Sequence, residues 1–218
     1  MALVCGVEEA GRGPVIGPMV MAAVMIDKED SDKLKSLGAK DSKLLTPRTR
    51  ELLVPQIKSI AKKFEIVIIP PKEIDDAVLS DTLNLNWLEA IKSAELVNKL
   101  NPDKVILDCP STNTKAYTAY FKKHLKNQDI EIISEHKADL NYPVVSAASI
   151  IAKVARDEEI EKLKQKHNVN FGSGYPSDPR TKGFIQKYFD KYDFFRKSWS
   201  TFQNAAGEKK QKRMGDFN

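Results

Sequence analysis

Two adjacent carboxylates, Glu8 and Glu9, end the short apolar run Leu3-Val4-Cys5-Gly6-Val7, and a glycine-flanked arginine, Gly11-Arg12-Gly13, follows at once. The run predicts a strand. Gly11, Gly13, Pro14 and Gly17 forbid regular structure after it, so the acids sit where strand opens into loop, a common address for catalytic groups. In a regular strand Glu8 and Glu9 face opposite sides, and both serve one site only if the strand ends or bulges there. Gly11-Arg12-Gly13 adds backbone N–H groups that can bind a phosphate or hydroxyl, and a guanidinium. The same residues also read as a solvated acidic pair beside a glycine turn.

Two further carboxylates bear on that choice. Asp108 closes the apolar run Val105-Ile106-Leu107, which predicts a central strand buried on both faces. An acid at the carboxyl end of such a strand points into the crevice where α/β folds place their sites, or else caps the following turn. Asp139 lies in Glu135-His136-Lys137-Ala138-Asp139, just before a helix of small apolar residues over 144–154, where it could be aimed back across the sheet. Glu8, Glu9, Asp108 and Asp139, with no Cys/His cluster and no serine-type nucleophile motif, suit hard cations such as Mg²⁺ or Mn²⁺. Two such ions ~3.5–4 Å apart activate water and stabilise the leaving oxygen in phosphodiester hydrolysis. The residues by themselves thus point to a metal-dependent nuclease or phosphotransferase.

Other polar positions are more ambiguous. Ser146 and Ser149 share one helical face and suit either phosphate contacts or helix packing with back-bonded hydroxyls. Tyr175, within Gly172-Ser173-Gly174-Tyr175-Pro176-Ser177-Asp178-Pro179, could stack on a base or sugar, or simply anchor its loop. His136 reads as a hydrogen-bonded structural residue. Cys5 and Cys109 lack a Cys-x-x-Cys spacing and read as small core residues with reduced thiols.

The elements that must position these groups follow from apolar periodicity. Residues 19–26 form a second strand, antiparallel to the first, and 64–69 a third, ended by Pro70-Pro71. Thr46 and Pro47 open a helix to about 63, and further helices cover the Trp87–Val97 stretch, 113–125 and 179–188, with a last strand over 130–134. A mixed sheet with antiparallel and parallel pairs is expected. The chain of 218 residues carries 35 Lys plus Arg against 30 Asp plus Glu, net charge +5, which is compatible with a polyanionic partner without proving one. There is no secretory h-region and no apolar run of membrane-spanning length, so a cytoplasmic protein is expected.

Glu9-Ala10-Gly11-Arg12-Gly13-Pro14, Lys40-Asp41-Ser42-Lys43, Asp108, the Glu135–Lys153 stretch and the Gly172–Pro179 loop together resemble ribonuclease HII, closest to its archaeal and eukaryotic-type branch. The resemblance implies an α/β ribonuclease H-like fold, a mixed five-stranded sheet flanked by helices, with a C-terminal helical extension. It divides the chain into a catalytic domain over 1–168, that extension over 169–206 with the Gly-Tyr loop, and a flexible tail over 207–218. It implies an endoribonuclease that cuts the RNA strand of RNA–DNA hybrids and single ribonucleotides embedded in duplex DNA, leaving 5′-phosphate and 3′-hydroxyl ends, with two Mg²⁺ or Mn²⁺ ions. Glu9, Asp108 and Asp139 match the second, third and fourth members of the family's acidic quartet. Gly11, Arg12, Gly13 and Tyr175 match the residues that recognise the ribose 2′-hydroxyl, and Lys43, Ser146 and Ser149 are expected as further substrate contacts. Glu8 stands where the family has its first aspartate. This departure leaves a hybrid-binding protein with little catalysis as the alternative. In the tail, Gln211, Met214 and Phe217 resemble a sliding-clamp-binding box, with Asn218 in place of its second aromatic. A monomer is expected, with roles in DNA replication and ribonucleotide excision repair.

Overall fold

The computed structural model describes residues 2–38 and 45–215. Its sheet has the order β3-β2-β1-β4-β5, with β1 at Leu3–Ala10, β2 at Met19–Asp27, β3 at Lys63–Ile69, β4 at Lys104–Asp108 and β5 at Glu131–Glu135. The β1–β2 and β2–β3 pairs are antiparallel, whereas β1–β4 and β4–β5 are parallel. This is the expected mixed five-stranded sheet, with the continuously apolar β4 inside it.

The helices, in chain order among the described residues, are α1 (Ser31–Ser36), α2 (Pro47–Ile60), α3 (Pro71–Val78), α4 (Leu85–Leu100), α5 (Thr114–Lys123), α6 (Ala138–Asn141), α7 (Pro143–His167), α8 (Pro179–Tyr188) and α9 (Ser200–Gly215). Thr46 caps α2 by accepting the Thr49 amide at 3.2 Å, as its position before Pro47 predicts. α3 occupies what reads in the sequence as a polar connection, and α6 is a single short turn. The segment from 207, expected as a flexible tail, continues α9 as helix through Gly215, so that boundary falls inside an element.

Strand parity sorts the core. Val4, Ala10, Ala22, Val24, Ile26 and Ile106 pack with the small residues of α7 on one face. Cys5, Val7, Met21, Ala23, Val105 and Leu107 pack with α4 and α5 on the other. Gly6 allows α7 to lie directly on β1, since a Cβ there would meet the Val144 carbonyl carbon at 2.5 Å. A third, aromatic cluster of Phe171, Phe184, Phe194, Phe195 and Phe202 joins the C-terminal helices to Val15, Ile16 and Ile160. Both cysteines are free and buried, as expected of core residues.

Candidate active site

The site forms where β1 and β4 part. Their parallel ladder ends at Val7 and Leu107, while β1 stays paired to β2 through Ala10. Glu8 and Asp108 are therefore the first residues past the end of the β1–β4 ladder, and parity puts both on the α7 face. Asp139 reaches the same face from α6, which begins after Lys137 turns the chain through a left-handed φ of 57°. Carboxylate oxygens of Glu8, Asp108 and Asp139 all lie within 4.8 Å of one another.

Glu9 takes the other face. It lines the same cavity but is outside that three-carboxylate group. The strand is regular through Ala10, so no bulge turns the two glutamates the same way, and Glu9 lies towards Arg12 and Glu89 instead.

Burial is severe here: Glu8 is 5% exposed and Asp139 1%. Burial first, then the charges of Glu9 and Asp108, raise the Glu8 pKa well above the usual carboxylate range, with Lys153 opposing. Asp108 is raised by burial and by Asp139, against hydrogen bonds that include the Ala138 amide to its Oδ1 at 3.3 Å. Glu8 Oε2 is buried and has no hydrogen-bond partner among the described residues. Crowded, desolvated carboxylates with an unanswered oxygen are what a divalent cation relieves, and an all-oxygen donor set fits Mg²⁺ or Mn²⁺.

A cavity of about 470 Å³ joins Glu8, Glu9 and Asp108 to Gly11, Arg12, Gly13 and Tyr175. Tyr175 is 40% exposed, and a Cβ on Gly13 would lie 3.7 Å from its ring. The Arg156 guanidinium sits 5.2 Å from that ring's centre. The Arg12 guanidinium, expected to face a ligand, instead pairs with the Glu89 carboxylate and donates to Asn86 Oδ1 at 2.8 Å. Ser149 is fully buried and accepts from Lys153, which matches helix packing more than ligand contact. Ser146 lines a neighbouring cavity of about 350 Å³ together with Asp139. His136 is held by the Cys109 carbonyl at 2.9 Å, a structural role. Lys43 lies outside the described residues.

A profile of the ribonuclease HII family matches residues 5–202. The ribonuclease HII of Pyrococcus furiosus is 46% identical over 214 residues, covering 95% of this chain and 93% of that one. The chain belongs to the ribonuclease HII family. Among solved structures, the ribonuclease H2 of Pyrococcus horikoshii superposes with a TM-score of 0.86 at 43% identity, over 94% of this chain and 98% of that one. Ribonuclease HII in a PCNA complex from Archaeoglobus fulgidus gives 0.81 at 36% identity, over 93% and 96%. As a ribonuclease H, the protein is an endonuclease that hydrolyses the RNA of RNA–DNA hybrids, and the sheet with its flanking helices is the ribonuclease H-like fold.

Basic groups complete the cavity of this ribonuclease HII family member. Lys153, Arg156 and Arg50 line its cavity, the last with an ion pair to Asp157 at 3.4 Å. Ser146, Ser149, Lys153 and Arg156 recur at helical spacing, so a stripe of polar side chains on the apolar first half of α7 was the available signal for the two cations. No local pattern marks Arg50.

Proposed function

We propose that the protein is a divalent-metal-dependent ribonuclease that cleaves both RNA–DNA hybrids and single ribonucleotides in duplex DNA, with 5′-phosphate and 3′-hydroxyl products. The observation that carries this reading is one cavity joining Glu8, Glu9 and Asp108 to Gly11–Gly13 and Tyr175, with Asp139 within 4.8 Å of Glu8 and Asp108. Glu8, Asp108 and Asp139, with Glu9 from the opposite face, would hold two Mg²⁺ or Mn²⁺ ions. When bound, these supply Lewis-acid activation of the attacking water and charge neutralisation at the leaving 3′-oxygen.

The chain's own groups do the rest. Lys153 balances the carboxylate charge beside Glu8 and, with Arg156 and Arg50, attracts the phosphate backbone. The amides of the Gly11–Gly13 loop meet the ribose hydroxyl, and the Tyr175 ring stacks beside it. The catalytic domain over 1–168 and the extension over 169–206 act as one unit, because both ends of the cavity are needed.

A binding-only protein, the alternative suggested by Glu8, has no support in the comparisons, and the Glu8 carboxylate reaches the cluster despite its longer side chain. We also read Gln211, Met214 and Phe217 as a contact for the sliding clamp, in keeping with the PCNA complex of the Archaeoglobus fulgidus relative. A cytoplasmic role in replication and ribonucleotide excision repair follows from that substrate and partner. No helix of the described residues is long and apolar enough to cross a membrane. The test is incubation with duplex DNA containing one ribonucleotide, with Mg²⁺, Mn²⁺ or a chelator. Cleavage beside the ribonucleotide that stops with chelator is expected, whereas metal-independent cleavage or binding without cleavage refutes the reading.

A further inference from the structure

The loop that carries Gly11, Arg12 and Gly13 does not hold itself. Its carbonyls are taken from behind by the segment preceding α9. Arg196 Nη2 donates to the Gly11 carbonyl at 2.6 Å, Nη1 to the Arg12 carbonyl at 2.8 Å and Nε to the Gly17 carbonyl at 3.0 Å. Trp199 Nε1 donates to the Gly13 carbonyl at 3.1 Å, with the Arg196 guanidinium 4.9 Å from the centre of its ring. The amides of Arg12 and Gly13 have no protein acceptor among the described residues. Every carbonyl of the tripeptide is thus tied inward, and two of its amides are left for a ligand.

The clamp is itself anchored. Arg196 is fully buried, and its amide donates to the Val15 carbonyl at 2.8 Å. Asp75 of α3 accepts the amides of Lys197 and Ser198 at 2.8 and 2.9 Å, fixing the turn between Arg196 and Trp199. The Val15 amide donates to the Gly174 carbonyl at 2.9 Å, so the Tyr175 loop hangs from the same seam.

We propose that Arg196, seconded by Trp199, is the positioning residue of ribose recognition: by occupying the loop's carbonyls it presents the loop amides, in register with Tyr175, to the 2′-hydroxyl. This rests on the reading that the Gly11–Gly13 loop recognises a ribose. It makes the C-terminal segment a determinant of specificity as well as of folding. A planar five-donor guanidinium can serve three divergent carbonyls at once, which a lysine ammonium on a flexible stem cannot match.

The test compares the parent, Arg196→Lys and Trp199→Phe in the full chain. Affinity is read by fluorescence anisotropy in chelator, for a duplex with one ribonucleotide and for the all-deoxy duplex of the same sequence. Melting temperature and kcat and KM on the ribonucleotide duplex with Mg²⁺ are measured alongside. Loss of one or more donors should lower the ribo-over-deoxy preference about 3-fold for Trp199→Phe and about 10-fold for Arg196→Lys, with all-deoxy affinity held. If the parent shows no ribose preference, the underlying reading of the loop fails. If the parent discriminates and a folded variant discriminates equally, or loses affinity for both duplexes in proportion, the positioning role is overturned. Should Arg196→Lys not fold, Trp199→Phe, which keeps the aromatic face and drops one donor, decides on the same ratio.

Discussion

Glu8 is one methylene longer than the aspartate that the resemblance leads one to expect there, and its carboxylate already lies within 4.8 Å of those of Asp108 and Asp139. Mg²⁺ demands near-ideal octahedral geometry at ~2.0–2.1 Å, and a misplacement of ~1 Å can cost about 10²-fold in rate. Glu8→Asp is therefore expected to raise Mg²⁺-dependent cleavage by about an order of magnitude or more, with Mn²⁺ partly rescuing the parent. Equal rates for the two proteins with Mg²⁺ at saturating substrate would end that account. A second residue, Glu89 on α4, tests the electrostatics behind Glu9. Burial first, then the Glu9 charge, push its pKa up to about 8 although Arg12 opposes both. A carboxyl that titrates higher folded than unfolded binds more protons in the folded state, so its ionisation costs stability as pH rises from the ordinary carboxylate range to about 8. Glu89→Gln keeps the shape and an oxygen for Arg12 but removes that titration. Without metal, the variant should gain on the parent by on the order of 1 kcal/mol or more between about pH 5 and about pH 8. Denaturant curves that run parallel across this range would remove the buried-charge argument.

At the scale of elements, the site depends on how closely α7 lies on β1, and Gly6 sets that distance. An added Cβ would stand 2.6 Å from the Val145 nitrogen as well as against Val144, backbone that cannot swing aside. Gly6→Ala should destabilise the fold by about 1–3 kcal/mol through overpacking. It should also cut kcat more than its binding of hybrid, because α7 carries Lys153 and follows directly on Asp139. Melting and cleavage both at parental values would show that the close approach is dispensable. Much of this arrangement was legible in the sequence. Apolar runs mark the five strands, four of them close to a glycine or proline, and an uninterrupted Val105-Ile106-Leu107 marks β4 as interior. The opposite facing of Glu8 and Glu9 follows from the strand period, but where the β1–β4 ladder stops depends on a partner about a hundred residues away. α3 was hidden because Lys72, Glu73, Asp75 and Asp76 mask its buried Ile74 and Ala77. Its Asp75 meets Lys197 and Ser198 across a separation that no local pattern records. Arg196 was illegible for the same reason: its acceptors are backbone carbonyls, which leave no mark on residue type.

For the whole molecule, the reading of the chain's end as a clamp contact makes the C-terminal helix the element to test. α9 runs from Ser200 to Gly215, beginning one residue after Trp199, which contacts the Gly11–Gly13 loop. Gln211 and Met214 fall on this helix, and Phe217 lies outside the described residues. A clamp-binding box needs its glutamine, aliphatic and aromatic positions on adjoining turns, and residues three apart on a helix share a side. A backbone already helical to Gly215 loses less conformational entropy on docking than a free tail would, whereas Asn218 in place of a second aromatic removes apolar contact area. The two effects oppose, and an affinity on the order of micromolar is expected, enough to hold the enzyme near replicated DNA without immobilising it there. Calorimetric titration of the host's clamp with the intact protein should show this binding, and Met214→Ala/Phe217→Ala should weaken it about 10-fold or more, since both apolar anchors are lost. The same double variant should cleave a short ribonucleotide-containing duplex at the parental rate when the clamp is absent, because the role expected of these two residues is in clamp binding alone. Titrations that cannot be told apart, whether both proteins bind or neither does, would leave the helix end without this role.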